Sequence, residues 1–153
     1  MPERMTDADV DLHVPSVRAE LRPHAWPVLA AISAGGATGA TARYALSLAW
    51  PHPSTGFPWS TFAVNVSGCL LIGVLMVIVT DVLPGRRLLR PFLGVGVLGG
   101  YTTFSTYVLD AHRAAAAGAP LVGLLYLAVT LVAALAAVWA GTTVTSALVR
   151  ERR

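Results

Sequence analysis

The stretch GVGVLGGYTTFSTY, residues 94–107, decides the fold of this chain. It lies in an apolar segment, yet two adjacent glycines (99–100) and two adjacent threonines (102–103) stand near its middle. Glycine loses the most backbone entropy in a helix, and threonine is branched at Cβ, so neither pair favours a continuous helix. We therefore predict a transmembrane helix that is broken at mid-membrane.

Broken backbone at membrane depth is tolerated only where it is buried in protein or lines a cavity. Freed carbonyl groups could hold a cation there, and the following hydroxyls and rings could line a path. The alternative is simple close packing, with Gly96 and Gly100 as a pair of small residues one helical turn apart. The Thr-Thr-Phe-Ser-Thr run places polar or aromatic groups on every face of a helix, which argues against packing alone.

Outward from this stretch, the composition indicates lipid as the solvent, with 55% hydrophobic and only 12% charged residues. Apolar runs cover residues 28–49, 59–80, 91–109 and 120–144, each close to the ~20 residues that cross a bilayer. Short connections join them at 50–58, 81–90 and 110–119. We predict an all-α membrane protein of four transmembrane helices in one domain, 28–149. A flexible polar tail (1–27) precedes this domain, and a basic end (150–153) follows it.

The arginines give this domain an orientation. All 11 cationic side chains are arginine, and nine of them flank the side that carries both termini, against Arg43 and Arg113 on the other. The positive-inside rule places both termini in the cytoplasm of a cell-membrane protein. Arginines in tails and short loops do not form the basic face of a nucleic-acid-binding protein.

Two further polar side chains fall within predicted spans. Asn65 is a mid-membrane amide that needs a partner, either another helix or a polar ligand. Arg43 follows a small-residue face around Gly35 and Gly39, and it could reach the interface or draw anions towards a vestibule. The residues alone leave both choices open.

These segments together resemble the Fluc (CrcB) fluoride channel family. The resemblance is carried by GGATGATARY (35–44), VNVSG (64–68) and GGYTTFSTY (99–107), which occur in the family's order and spacing and cover about residues 28–149. It implies a passive fluoride channel built as an antiparallel dimer with two pores. It also implies a structural sodium ion at the dimer centre, held by backbone carbonyls of Gly99 and Thr102 from each subunit.

The resemblance also assigns the fluoride path. Asn65 matches the family's pore asparagine, Phe104 its first pore phenylalanine, and Tyr107 stands where the family has a second phenylalanine. Tyr126 and Thr130 resemble a hydroxyl-lined track. Hydroxyl donors that suit a strongly hydrated anion are supplied nearby by Thr103, Ser105 and Thr106, and the positive edge of the Phe104 ring can also face an anion. The Tyr107 hydroxyl could bind fluoride and slow its exit, or point away.

The main alternative is a small multidrug-resistance-type exporter, which also has four helices. Proton-coupled export needs a carboxylate inside the membrane, and we expect Asp81 and Asp110 at helix ends. A non-transporting membrane scaffold would explain the glycines but not the polar run 102–106. An enzyme is not expected, because no nucleophile–base or metal constellation lies near the spans.

The arginine bias conflicts with the simplest dimer. A homodimer of inverted subunits needs a chain that inserts both ways, whereas nine arginines against two favour one orientation. The chain is therefore expected either to form a homodimer of dual topology or to pair with an oppositely oriented homologue.

Overall fold

The computed structural model describes residues 15–83 and 85–151, with side chains described from Trp26 onward. Within these ranges the chain is mostly helical and contains no β-strand. The helices are α1 (Pro15–Ala49), α2 (Trp59–Val77), α3 (Gly99–Tyr101), α4 (Phe104–Ala116) and α5 (Pro120–Glu151). Two π-helical segments, π1 (Ile78–Val82) and π2 (Arg90–Leu98), continue α2 and precede α3.

Among the described residues, three helical segments are long and apolar enough to cross a membrane: Trp59–Val82, Arg90–Ala116 and Pro120–Glu151. They correspond to the second, third and fourth predicted spans. The first predicted span, 28–49, is helical as part of α1 but is not among the three candidates. Glycines, threonines and Arg43 dilute the apolar character of that helix.

Two helices extend beyond the predicted spans. Helix α1 begins at Pro15 rather than at 28, because residues 16–22 hold ordinary helix formers behind a proline suited to the first helical position. The predicted tail 1–27 is thus helical from Pro15, and the rest of it lies outside the described residues, as do residues 152 and 153 of the basic end 150–153. Helix α5 runs on to Glu151, past the predicted end at 144.

Asp110 was also misplaced. It was expected to start the connection 110–119, but α4 continues to Ala116, and Asp110 is only 4% exposed. The chain leaves the helix through Gly118, which has φ 85°, and Ala119 N–H donates to Ala114 O at 2.9 Å. Glycine allows this left-handed conformation without steric cost.

Glycines let the backbone of α1 lie directly against π2 and α3. A Cβ on Gly35 would meet the carbonyl oxygen of Phe92, and one on Gly39 would meet that of Val97. From the other side, a Cβ on Gly100 would meet the carbonyl oxygen of Gly36. The small-residue pattern was therefore a packing signal, and we refer to this contact of α1 with π2 and α3 as the glycine seam.

The remaining helices form a second group, in which α5 packs against both α2 and α4. Gly73 and Gly141 bring α2 and α5 together, since a Cβ on Gly141 would lie 2.5 Å from Leu70 O. Many large apolar side chains point outward, among them Leu121, Trp139 and Phe104 at 67%, 69% and 77% exposure. Such a surface suits contact with lipid or with a second subunit.

Candidate functional site

The site is built where helical geometry stops between α3 and α4. Thr102 (φ −74°, ψ 160°) and Thr103 (φ −151°, ψ 126°) are both extended. Thr103 caps the start of α4, because its Oγ1 accepts a hydrogen bond from Thr106 N–H at 3.2 Å. Threonine is a good N-cap residue, so the local sequence both interrupts one helix and starts the next.

Asn65 holds this interruption from α2. Its Nδ2 donates to Thr103 O at 2.9 Å, and its Oδ1 accepts from Thr103 N–H at 2.9 Å. The amide thus pairs with both backbone groups of one residue. The interhelical partner anticipated for Asn65 is therefore the broken backbone itself, and the second N–H of Nδ2 is still available as a donor.

The interruption frees carbonyl groups that a continuous helix would use. In an α-helix Gly99 O would accept from Thr103 N–H, which here donates to Asn65 instead. Thr102 O would accept from Thr106 N–H, which here donates to Thr103 Oγ1. Gly100 O accepts from Arg43 Nε at 3.1 Å. Arg43 is thus tied to the backbone beside the break, an arrangement that the sequence did not indicate.

A groove of about 570 Å³ opens beside the break. Its lining includes five of the residues predicted for the fluoride path, together with both residues predicted for the sodium site: Asn65, Thr103, Phe104, Tyr107, Thr130, Gly99 and Thr102. The residues that line this groove include no arginine, lysine, aspartate or glutamate. A mobile anion could therefore meet donors here without meeting a fixed cation that would trap it.

A smaller cavity of about 190 Å³ lies on the other side of Thr103, and Arg43 and Thr106 line it with Thr61. Thr106 Oγ1 accepts from Thr103 Oγ1 at 3.1 Å. Ser105 is exposed and lines neither cavity. The predicted donors therefore separate into two compartments that share Thr103.

Two buried hydroxyls on α5 stand without a hydrogen-bond partner among the described residues, those of Tyr126 and Thr130. Tyr126 is fully buried, and Thr130 is 4% exposed. They are one helical turn apart. Buried hydroxyls are normally satisfied, so an unpaired pair suggests a place for a polar ligand or water.

Tyr107 turns its hydroxyl away from the groove. Its Oη donates to Leu127 O on α5 at 2.6 Å, while its ring packs 5.2 Å from that of Tyr126 and 5.9 Å from that of Phe104. Of the two possibilities left open by the sequence, the structure favours the hydroxyl that points away. The groove therefore meets a ring at this position, as it would with a phenylalanine.

Sequence reasoning missed several groove residues. On α2, Gly68, Cys69 and Ile72 continue the face that begins with Asn65, and on α5 Leu131 and Ala134 continue the face of Thr130. Helical spacing from the two predicted residues could have found them. It could not have found Thr61, whose hydroxyl donates to Asp110 Oδ2 at 2.8 Å across two helices.

The described helices are apolar, three of them are long enough to cross a membrane, and a mainly apolar groove with a few polar groups lies beside the interrupted helix, as expected of a multi-pass membrane protein. Comparison with known proteins makes the family specific: residues 30–142 match the model of the CrcB-like protein family, described as Camphor Resistance (CrcB). The chain belongs to this family, which confirms the resemblance inferred from its motifs.

Similar proteins carry a consistent name. The chain is 59% identical over 113 residues to "Fluoride-specific ion channel FluC 1" of Streptomyces coelicolor. The aligned residues make up 74% of this chain and 73% of the relative. It is 52% identical over 130 residues to FluC 2 of Streptomyces avermitilis, covering 85% and 82%, and 54% identical over 127 residues to FluC 2 of Nocardia farcinica, covering 83% and 91%. The family is one of channels, not of enzymes.

Proposed function

We propose that this chain is a subunit of a passive, fluoride-selective channel that lets fluoride leave the cytoplasm and so reduces its toxicity. The observation that carries the proposal is the groove, where the amide of Asn65, the unpaired hydroxyl of Thr130 and the Phe104 ring converge without a cationic side chain. The names of the relatives support fluoride as the ion.

The chemistry of the groove suits a small, strongly hydrated anion. An amide N–H and hydroxyls can replace water molecules around fluoride, and the positive edge of an aromatic ring adds weak attraction. Burial strengthens each of these contacts because the local dielectric constant is low. A path made of such donors can bind fluoride and still release it, whereas a buried arginine would hold the ion.

The proposal includes four spans, with the break at mid-membrane. The glycine seam supports the fourth span, because α1 lies in backbone contact with π2 and α3, which belong to the candidate span Arg90–Ala116. A helix packed that closely against a spanning segment is expected to share its environment. The extended backbone at Thr102 and Thr103 lies inside the same candidate span, where it lines a groove as membrane-depth breaks do.

A structural sodium ion fits the residues at the break. The carbonyls of Gly99 and Thr102 have lost their helical donors, and carbonyl oxygens are ligands that hard cations prefer. Gly99 is exposed in the single chain, so its carbonyl can face a second subunit. A bound sodium would supply diffuse positive potential near the groove, and it would be structural rather than transported.

An antiparallel dimer would complete the site. The groove is open on one side, and Phe104 is 77% exposed on that surface, which is costly for a ring meant to line a pore unless a partner covers it. Either a homodimer of dual topology or a heterodimer with a homologue would do so. Two of the relatives, FluC 2 and FluC 3, come from one organism, Streptomyces avermitilis, which shows that two homologues can coexist.

Export follows from the membrane potential. We expect both termini in the cytoplasm of a cell membrane, where a cytoplasm-negative potential drives anions outward by about 2.3 kcal/mol per charge per 100 mV. No energy source beyond this potential is required. The channel would therefore protect the cell from fluoride that enters as the neutral acid and ionises inside.

Fluoride efflux from liposomes tests the proposal. Purified chain is reconstituted in sodium-containing vesicles, and fluoride release is followed with a fluoride electrode, with chloride release as the control. We expect rapid release of fluoride and little of chloride. If no fluoride leaves, the measurement is repeated with a co-expressed homologue. Absence of efflux in both preparations would contradict the channel, whereas recovery with the homologue would establish a heterodimer.

One observation favours a second candidate. Asp110 is buried within a candidate span, so the absence of a membrane carboxylate no longer argues against a small multidrug-resistance-type exporter. The same vesicles distinguish the two, because an exporter requires a proton gradient and a channel does not. Fluoride release that is independent of any pH difference excludes the exporter, and a scaffold protein would release nothing.

A further inference from the structure

A buried carboxylate lies at one end of the helix group formed by α2, α4 and α5. The Asp110 side chain is 3% exposed and accepts a hydrogen bond from Thr61 at 2.8 Å. Arg113 Nη1 lies 3.5 Å from Asp110 Oδ1, and His52 Nε2 lies 4.0 Å from Oδ2. The proposed fluoride path does not use this cluster.

The cluster adjoins the buried hydroxyls of α5. Asp110 and Thr61 both lie near the Tyr126 side chain. The loop that carries His52 also places Phe57 edge-on against Tyr126, with ring centroids 5.3 Å apart. An anion at the Tyr126–Thr130 hydroxyls would therefore feel the negative charge of Asp110.

The two cations near Asp110 differ in how well they can offset that charge. The Arg113 side chain is 57% exposed, so water and salt screen much of its field. The His52 side chain is only 23% exposed, but it carries a charge only when protonated. Histidine is the side chain that commonly changes charge between about pH 5 and pH 8.

Other titratable groups near the cluster are few in the part of the chain that the structure describes. Helix α1 contributes Arg43 and Tyr44 to the small cavity that Thr61 also lines, and α4 contributes Tyr107 next to Tyr126. Arginine and tyrosine do not change charge between about pH 5 and pH 8 unless strongly perturbed. The other loop residues between Trp50 and Pro58 carry no charge.

We propose that His52 sets the rate of fluoride passage through the charge of Asp110. Protonated His52 compensates the carboxylate and lowers the electrostatic barrier beside Tyr126, whereas neutral His52 leaves the carboxylate to repel the anion. The channel is then faster in acid, when external fluoride enters cells most readily as the neutral acid. This inference rests on the proposed function and adds control of the fluoride rate by pH at the end of the path near Asp110.

Fluoride efflux at a series of pH values tests the inference. The pH is equal on both sides of the vesicle, and leakage of the neutral acid is subtracted with protein-free vesicles. We expect the rate to rise by about threefold or more between about pH 8 and about pH 5.5. His52→Gln should remove this rise and keep the rate near that of the unmodified chain at pH 8.

Two further variants complete the design. His112→Gln is the matched control, because His112 is an exposed histidine on α4 two residues beyond Asp110, and it should keep the full pH profile. Asp110→Asn retains an acceptor for Thr61 while it removes the charge, and it should give a flat, fast profile. Gel filtration checks that each variant remains folded.

The outcomes separate this inference from the proposed function. A profile for His52→Gln that still rises like that of the unmodified chain would overturn the role of His52 and leave the channel intact. A flat profile in the unmodified chain, with fluoride efflux present, would do the same. Absence of fluoride efflux at every pH, with and without a homologue, would overturn the channel and the inference together.

Discussion

The glycine seam and the groove both depend on small residues and on the same interrupted helix, yet they use it in opposite ways. At the seam, α1 approaches π2 and α3 so closely that a single Cβ would collide with backbone. At the groove, side chains and backbone of α2, π2, α4 and α5 border a space of about 570 Å³. One face of the interrupted helix is closed by packing against α1, and the other borders this groove.

This difference shows that the interrupted helix depends on Asn65, a single side chain from another helix. A break in a helix costs several kcal/mol if its backbone groups are unpaired in a low-dielectric medium. Asn65 satisfies both groups of Thr103 with one side chain. The backbone of Thr103 therefore stays paired beside the groove, whereas the carbonyls of Gly99 and Thr102 are left without their helical donors.

The largest expected effect comes from filling the seam. Gly39→Val should prevent stable folding, because a Cβ on Gly39 would meet Val97 O and Tyr101 N of the facing backbone, which cannot move aside cheaply. Monodisperse protein recovered by gel filtration in detergent measures the effect. Gly36→Ala is the matched control on the same helix, since a Cβ there meets nothing within 4 Å. Equal recovery of both variants would contradict the seam.

The next largest effect is on flux alone. Asn65→Asp should abolish fluoride efflux, by about 100-fold or more, and leave the assembly intact. The carboxylate can still accept from Thr103 N–H but can no longer donate to Thr103 O, and it places a negative charge in an anion path. Efflux and gel filtration are measured on the same preparation. Unchanged efflux would remove Asn65 from the path.

Phe104→Ile should also abolish flux with little effect on folding. The Phe104 ring is 77% exposed in the single chain, so its loss creates no internal cavity there, whereas the aromatic edge that would face fluoride disappears. Leu109→Ile is the control, because Leu109 is a 44% exposed apolar residue of the same helix. If both variants conduct equally, the ring does not line the path.

Tyr107→Phe should have the smallest effect on fluoride efflux, and it tests whether the groove meets the hydroxyl or only the ring at this position. The hydroxyl donates to Leu127 O, so its removal should change fluoride efflux by less than about twofold. It should lower stability by about 0.6–2 kcal/mol, as loss of an interhelical hydrogen bond does. Thermal unfolding in detergent and efflux are the two readouts. A large change in fluoride rate would mean that the hydroxyl faces the ion after all.

The interruption of the third helix and the position of Asp110 differ in how well the sequence predicts them. Both the Gly99–Gly100 pair and the Thr102–Thr103 pair were expected to disfavour a continuous third helix; the backbone is extended at the two threonines, whereas the two glycines are helical. Local propensity decides such a feature, because it is a property of neighbouring residues. By contrast, Asp110 was assigned to a connection, and α4 carried it into the protein interior. Sequence alone assigns a charged residue near a predicted helix end to the connecting loop, because the partners that could bury it come from other helices.

The sequence also did not predict that residues 90–98 form a π-helix. No composition signal separates an i→i+5 hydrogen-bond pattern from an α-helix over so short a segment. The winding is set by what the helix packs against. Here the facing element is α1, whose glycines bring its backbone into direct contact with this segment.

The amino-acid sequence by itself determined that this is a helical membrane protein and the family to which the motifs belong. These follow from hydropathy, backbone preference and local spacing, all of which act over a few residues. Only the tertiary structure decided that Asn65 pairs with Thr103, that the Tyr107 hydroxyl faces Leu127, and that His52 lies beside Asp110. Such contacts join residues far apart in the chain, and their geometry depends on how closely the helices pack, which no single segment encodes.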